Sequence, residues 1–174
     1  MRRLSLNARL AQDELVSDEV HVVLLQLEHP ELEQPIRLST DNTERISVDP
    51  LIYGTRSTWR DTNPIADPFL WVLASALVPS DLDDAPAAAT VILENLGSEA
   101  VELLRSFTDL ATVHMAVVLA SSPNLIEAEW SDMRLMSVQF NAGEISLQIS
   151  REEVELEPYP AMRMTRDRFP GLHR

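Results

Sequence analysis

Two runs of the sequence, residues 19–28 and 112–120, are almost continuously apolar. Each run is too apolar for a strand with one wet face, and its richness in valine and leucine favours a strand buried on both faces. We therefore predict two central strands of a sheet. His29-Pro30 ends the first run, and residues 35–39 are predicted to return as the second strand of a hairpin.

A further hairpin is predicted from residues 127–140 and 144–150, with Asn141-Ala142-Gly143 as its loop. Gly143 is expected to supply left-handed backbone there. Apolar and polar residues alternate along 144–150, which predicts one solvated face. Residues 89–96 are predicted as a further strand. Residues 69–77 fit either a strand or a short helix, and a strand is favoured.

Two short helices are predicted outside the sheet. The first is capped by Ser5 or Asn7 and runs to about Val16, and the second follows Ser98 from residue 99 to 107. Residues 41–68 show no clear period, and an irregular insertion is expected over about 41–78. A long stretch of this kind is typical of a functional loop or an insertion.

The predicted fold class is mainly β (α+β). The strand pattern favours a β-sandwich or a split β-barrel with two short helices packed outside it. With 174 residues the chain is about one domain. We assign residues 1–156 to that domain and residues 157–174 to an extended C-terminal docking segment.

The C-terminal segment, residues 157–174, contains three prolines and four arginines but no helical or strand periodicity. Tyr159, Phe169 and Leu172 are spaced along it as isolated apolar anchors. Such a segment is predicted to dock onto its own core or onto a neighbouring subunit. This composition indicates a component of an assembly.

Charge is unevenly distributed along the chain. The net charge is −14 and all 14 basic residues are arginine, but residues 10–160 hold 7 arginines against 27 acidic residues, a net of −20. An acidic body with basic ends can place one subunit's tail on the next subunit, because complementary potentials favour that register. The alternative is that the charge serves solubility only. The acidic body argues against nucleic-acid binding, which depends on neutralising phosphates.

Aromatic and arginine residues also occur together within residues 41–68. Tyr53 and Trp59 lie close to Arg56 and Arg60. Because interface cores are enriched in these residue types, Tyr53 and Trp59 are predicted interface residues.

Residues suited to catalysis or to cofactor binding are scarce. The chain has no cysteine, its four histidines lack ligand spacing, and its four glycines form no phosphate-binding loop. His21 and His114 fall within predicted strands, where a hydrogen-bonded structural role is expected. The acidic stretch at residues 81–84 lacks the EF-hand pattern, so a solvated loop is favoured over a calcium site. We predict no enzymatic activity, no metal, no cofactor and no membrane span.

Three passages carry a resemblance to a known family. The first is Leu6-Asn7-Ala8-Arg9 followed by the run at residues 18–30, and the second is Asp83-Asp84-Ala85-Pro86 with the strand that follows. The third and most specific is Glu157-Pro158-Tyr159-Pro160-Ala161 with Arg168-Phe169-Pro170-Gly171-Leu172. The chain resembles a family of small minor tail proteins of siphophages and prophages, catalogued as a domain of unknown function.

The resemblance implies a structural role at the distal end of a long, non-contractile phage tail. Similar proteins form a ring, commonly of six copies, between the tail tube protein and the tip hub or fibres, with a hub-like fold. The protein would be made in the host cytoplasm and end in the virion tail. Phe169 and Leu172 would fill pockets of an adjacent subunit, while three arginines meet acidic surface: Arg163, Arg166 and Arg168.

Two other classes of function stay open at this point. The first is a tail assembly chaperone or adaptor that is not retained in the mature particle. The second is a small hydrolase acting on the cell wall, for which the sequence supplies neither a nucleophile nor a metal site. A tail-tip structural protein is the favoured expectation.

Overall fold

The sheet that organises this protein has ten strands and curls into a half-barrel. The computed structural model describes residues 4–79, 88–94, 110–141, 143–150 and 168. Strands make up 56% of the structure, and the described residues include one α-helix. The prediction of a mainly β protein is confirmed.

The elements follow one another along the chain as a helix and ten strands, with a 3₁₀ turn at Trp59–Asp61. The helix and strands are α1 (Leu6–Asp13), β1 (His21–Glu28), β2 (Ile36–Ser39), β3 (Glu44–Ser47), β4 (Ile52–Thr55), β5 (Phe69–Trp71), β6 (Leu73–Leu77), β7 (Ala88–Glu94), β8 (Thr112–Leu119), β9 (Ser122–Phe140) and β10 (Glu144–Ser150).

Across the sheet the strand order is β3-β4-β5-β2-β1-β8-β9-β10-β7-β6. All neighbouring strands are antiparallel except β2 and β5, which run parallel. As predicted, β1 and β8 are central and pair with each other over eight residues, from His21 with Leu119 to Glu28 with Thr112.

The two faces of the central strands pack against different clusters. The main core lies on the face that carries Leu25, Leu27, Val113 and Met115, and residues of β7, β9 and β10 complete it. Strand alternation sends the intervening side chains to the opposite face. There a smaller cluster forms from Val22, Leu24, Trp59, Phe69, Ala116 and Val118.

A single residue, Val72, connects strand β5, near one end of the sheet, to strand β6 at the other end. It separates β5 from β6, although β5 is third and β6 last in the strand order. The N–H of Val72 donates to the carbonyl oxygen of Ser39 at 3.0 Å, while Leu73 already pairs with Glu94 of β7. The stretch 69–77 therefore passes from the β2 side to the β7 side, and this passage curls the sheet.

The region predicted to be irregular contains regular structure. Strands β3 and β4 and the 3₁₀ turn lie within residues 41–68, so that expectation is wrong. The two strands are four residues each, too short for alternation to be visible in the sequence. The strand predicted at 69–77 is present but divided at Val72.

Other boundaries differ in detail from the predictions. Strand β9 begins at Ser122 instead of residue 127, and Gly143 does not adopt left-handed backbone. Helix α1 has Ser5 as its N-cap but ends at Asp13, where the N–H of Glu14 donates to Leu10. The strand predicted at 89–96 is β7, and the helix predicted at 99–107 lies outside the described residues.

Candidate interface surfaces

Most of the predicted interface residues of the C-terminal segment lie outside the part of the chain that the structure describes. These are Tyr159, Arg163, Arg166, Phe169 and Leu172. Arg168 is described and exposed. Tyr53 is half-buried in β4, where it pairs with Arg45 of β3.

Trp59 is used within the subunit. It is 4% exposed, its ring centroid lies 5.8 Å from that of Phe69, and its Nε1–H donates to Oε1 of Glu129 at 3.0 Å. The same turn is held to the start of β9 because Ser57 Oγ donates to the carbonyl of Pro123 at 2.7 Å. The indole therefore closes the smaller cluster and offers little surface to a partner.

Helix α1 presents leucines to solvent. We call Leu6, Leu10, Leu15, Val16 and Val20 the N-terminal apolar surface, and each is at least half exposed. The helix cannot turn Leu6 and Leu10 inward, because Ala8 on its other side is fully buried. The Ser5 N–H also donates to Oε2 of Glu127 at 2.8 Å, which fixes the start of the helix to β9.

A cleft of about 780 Å³ opens where β5 leaves β2 and becomes β6. We call it the seam cleft. The cleft is lined by residues 34–38, 66–68 and 70–73 and by Glu94 of β7. Leu70, Trp71 and Leu73 are 42%, 40% and 50% exposed, so much of the lining is accessible apolar surface.

Arg37 is the cation of the seam cleft. Its NH1 group lies 3.5 Å from Oδ1 of Asp67, and its side chain is 16% exposed. The Nε atom is buried and makes no hydrogen bond within the described residues. A buried guanidinium donor of this kind is costly unless an acceptor reaches it.

A polar cluster surrounds Glu28 on the outer face of the central strands, which is the face that carries the smaller apolar cluster. Oε1 of Glu28 accepts a hydrogen bond from Nε2 of Gln26 at 2.8 Å and lies 3.4 Å from NH2 of Arg60. Nε2 of His114 lies 3.7 Å from the same oxygen. We call Gln26, Glu28, Arg60, His114 and Asp132 the outer polar cluster.

A β-bulge opposite His114 gives the cluster its geometry. Val113 pairs with Met133 and Met115 pairs with Trp130, so two residues of β9 face one residue of β8. Asp132 takes a left-handed conformation with φ of 58°. Its N–H has no strand partner in this geometry and donates instead to Nδ1 of His114 at 3.1 Å.

The pKa values in this cluster favour a neutral histidine beside an ionised carboxylate. Burial lowers the pKa of His114, and the charge of Arg60 lowers it further against the opposing carboxylates. Burial raises the pKa of Glu28, but the Gln26 hydrogen bond, His114 and Arg60 together outweigh it and leave that pKa below its ordinary value. Since Nδ1 accepts a hydrogen bond, the proton of neutral His114 is on Nε2.

The expected structural role of His114 agrees with its hydrogen bond to the bulge. Sequence reasoning missed Glu28, Arg60 and Asp132, because their approach depends on pairing between strands far apart in sequence. Among the described residues no group of three or more histidine, aspartate or glutamate side chains is placed to hold a metal ion. No helix in the described ranges is long and apolar enough to cross a membrane.

Comparison with known proteins adds no relative. No family model matches the chain, and no curated protein is significantly similar to it.

Proposed function

We propose that this protein is a structural subunit of a phage tail tip. It forms a distal-tail-like ring, of about six copies as in the family that the sequence resembles, joining the tail tube protein to the tip hub or fibres. The curled, mainly β sheet is compatible with the hub-like sandwich or split barrel expected of such proteins. In this role the protein is made in the host cytoplasm and retained in the virion tail.

The observation that carries this proposal is the N-terminal apolar surface. Leu15 and Val16 are fully or almost fully exposed, and the anchored helix α1 holds Leu6 and Leu10 outward. An apolar patch on a folded domain marks a site of protein association, and we propose that these exposed side chains form one. A ring uses two different surfaces on each subunit, and in this proposal the second is the acidic surface that receives the C-terminal residues of the neighbouring subunit.

Charge placement supports association in one orientation. Residues 10–160 carry 27 acidic residues against 7 arginines, whereas the C-terminal segment contains four arginines. In the proposed ring Arg163, Arg166 and Arg168 meet the acidic surface of the next subunit, and Phe169 and Leu172 occupy pockets there. Complementary potentials then favour head-to-tail over like-with-like contacts.

The test is the copy number of the protein in purified tails. Quantitative mass spectrometry of particles from a host that carries the gene should find about as many copies as one ring holds, far fewer than the tail tube protein. Absence from purified particles would overturn the proposal and favour the assembly chaperone or adaptor.

A second arm uses Leu6→Ser with Leu10→Ser, which removes two leucines of the N-terminal apolar surface without changing the buried Ala8. Particles should lose this variant. The control, Val48→Ser with Leu51→Ser, changes side chains of similar exposure near the turn between β3 and β4. Retention of the α1 variant at the wild-type copy number would contradict the role of that surface.

A further inference from the structure

Among the described residues, strand β6 lies at the edge of the sheet without the usual protection. It is the last strand in the sheet order, so among the described residues only β7 pairs with it. Its five residues, Leu-Ala-Ser-Ala-Leu, include no charge and no proline. Natural sheets protect such edges with charges, prolines or a covering segment. By contrast, the opposite edge strand, β3, carries Glu44 and Arg45.

We propose that residues 156–162 of the same chain dock along this free edge of β6 and reach into the seam cleft. This inference goes beyond the proposed ring, since it concerns a contact within one chain.

The end of β10 places that segment within reach. Ser150 pairs with Ala88, two residues beyond Thr90, which pairs with Leu77. The chain therefore leaves β10 beside the Leu77 end of β6, about 14 Å or three strand spacings from the position next to β6. Five extended residues, 151–155, span about 17 Å. A segment tethered at this distance has an effective concentration in the millimolar range.

The segment would run antiparallel to β6, from Leu77 towards Leu73. The spatial order would then be the segment, β6, β7 and β10.

The prolines of the segment fit an edge strand. Pro158 and Pro160 are two residues apart, so both missing N–H groups fall on one edge of an extended chain. With that edge outward, the N–H groups of Glu157, Tyr159 and Ala161 all face β6. If the two prolines were an odd number of residues apart, one missing N–H would fall on each edge of the segment. Neither edge could then donate a full set of hydrogen bonds.

The seam cleft offers contacts where the segment would end. Its last residues would pass Leu73 and the apolar lining of the cleft, which is half exposed in the described residues. In the cleft, a backbone carbonyl of the docked segment would accept a hydrogen bond from the buried Nε of Arg37. Residues 163–174, with their arginines, would then leave the cleft at the surface.

A pair of proline substitutions at adjacent positions tests the edge directly. Hydrogen exchange is measured on the full-length chain, comparing wild type with Ala161→Pro and with Met162→Pro. Ala161→Pro removes an N–H that faces β6, so peptides covering residues 73–77 should exchange about tenfold faster or more. Met162→Pro removes an outward N–H and should leave that exchange within about twofold of wild type.

Two results overturn the proposal. One is exchange at residues 73–77 that does not respond to Ala161→Pro, and the other is an equal response to both prolines. Peptides from β8 and β9 provide the folding control, because neither substitution touches the core strands. The measurement needs no other tail protein, so its outcome is separate from that of the ring.

Cross-linking in this cysteine-free chain distinguishes docking within one chain from docking on a neighbour. Ser75→Cys with Tyr159→Cys should form a cross-link inside one molecule with a short bismaleimide. Ser121→Cys with Tyr159→Cys is the control, since Ser121 is an exposed serine at the turn between β8 and β9. Cross-links found only between molecules, or none at Ser75, would overturn the assignment to the same chain.

Discussion

The N–H of Asp132 donates to Nδ1 of His114 across 3.1 Å, and this one bond connects the bulge of β9 to the centre of the sheet. Asp132 is left-handed there, and Arg60 and Asp61 are left-handed in the turn that contacts the same cluster. The histidine is therefore the acceptor for a backbone group that the strand ladder leaves unpaired.

Replacing that acceptor should destabilise the fold. His114→Leu removes the acceptor of the Asp132 N–H, and the free energy of unfolding should fall by about 0.5–1.5 kcal/mol, the net contribution of one hydrogen bond. His114→Asn keeps an oxygen acceptor close to the position of Nδ1 and should recover at least half of that loss. Urea unfolding followed by tryptophan fluorescence measures both. Equal stability of wild type and His114→Leu would contradict this role.

Stability should also decline in mildly acidic solution. The pKa of His114 in the native protein lies below its ordinary value of 6.5, because it is buried and faces Arg60. At pH above that value His114 is neutral in both states, and its contribution is complete. As the pH falls below 6.5, His114 is protonated in the unfolded chain before it is protonated in the native protein. The free energy of unfolding therefore falls progressively until the pH passes the native pKa of His114.

Urea midpoints measured between about pH 7 and about pH 5 test this dependence. His114→Asn removes the titrating group and should flatten the profile. The carboxylates that face His114 are Glu28, Asp132 and Glu129. An unchanged slope in His114→Asn would assign the pH dependence to other groups.

Gly54 should not tolerate a side chain. A Cβ atom at this position would overlap the backbone carbonyl oxygen of Phe69 on the neighbouring strand β5. Gly54→Ala should therefore force β4 away from β5 and cost about 2–4 kcal/mol, as overpacking and strain do elsewhere. Gly143→Ala is the matched control, because a Cβ there meets nothing within 4 Å. Thermal unfolding should show a lower midpoint for the first variant and not for the second.

Elements with long hydrophobic patterns could be predicted from the sequence, and short elements could not. Strands β1, β8 and β10 were predictable because their runs of seven or eight residues carry clear hydrophobic patterns. Helix α1 was predictable because Ser5 is a residue type that caps helix N-termini. Strands β3 and β4 were missed because four residues carry too little periodicity, and their pairing depends on the close approach that Gly54 allows.

The candidate surfaces were harder to predict than the strands. Trp59 has the composition of an interface residue, yet it lies against Phe69, because the turn at Trp59–Asp61 folds back over β1 and β8. The outward leucines of α1 follow from the burial of Ala8, a small residue that no hydrophobic pattern distinguishes. Long-range packing, which local sequence does not encode, decides both.

The C-terminal anchors give the last prediction. Phe169→Ala with Leu172→Ala removes the two apolar side chains proposed to fill pockets of the next subunit, beyond the stretch proposed to dock on β6. The monomer should keep its wild-type circular dichroism and thermal midpoint, because both side chains are proposed to contact the next subunit and not the core of their own subunit. Each truncation of a buried interface anchor costs about 2 kcal/mol or more, so copies of the variant in purified tails should fall at least tenfold. Val48→Ala with Leu51→Ala removes two exposed apolar side chains of the body and should enter particles at the wild-type level. Wild-type incorporation of the Phe169 and Leu172 variant would show that the tail does not hold neighbouring subunits together.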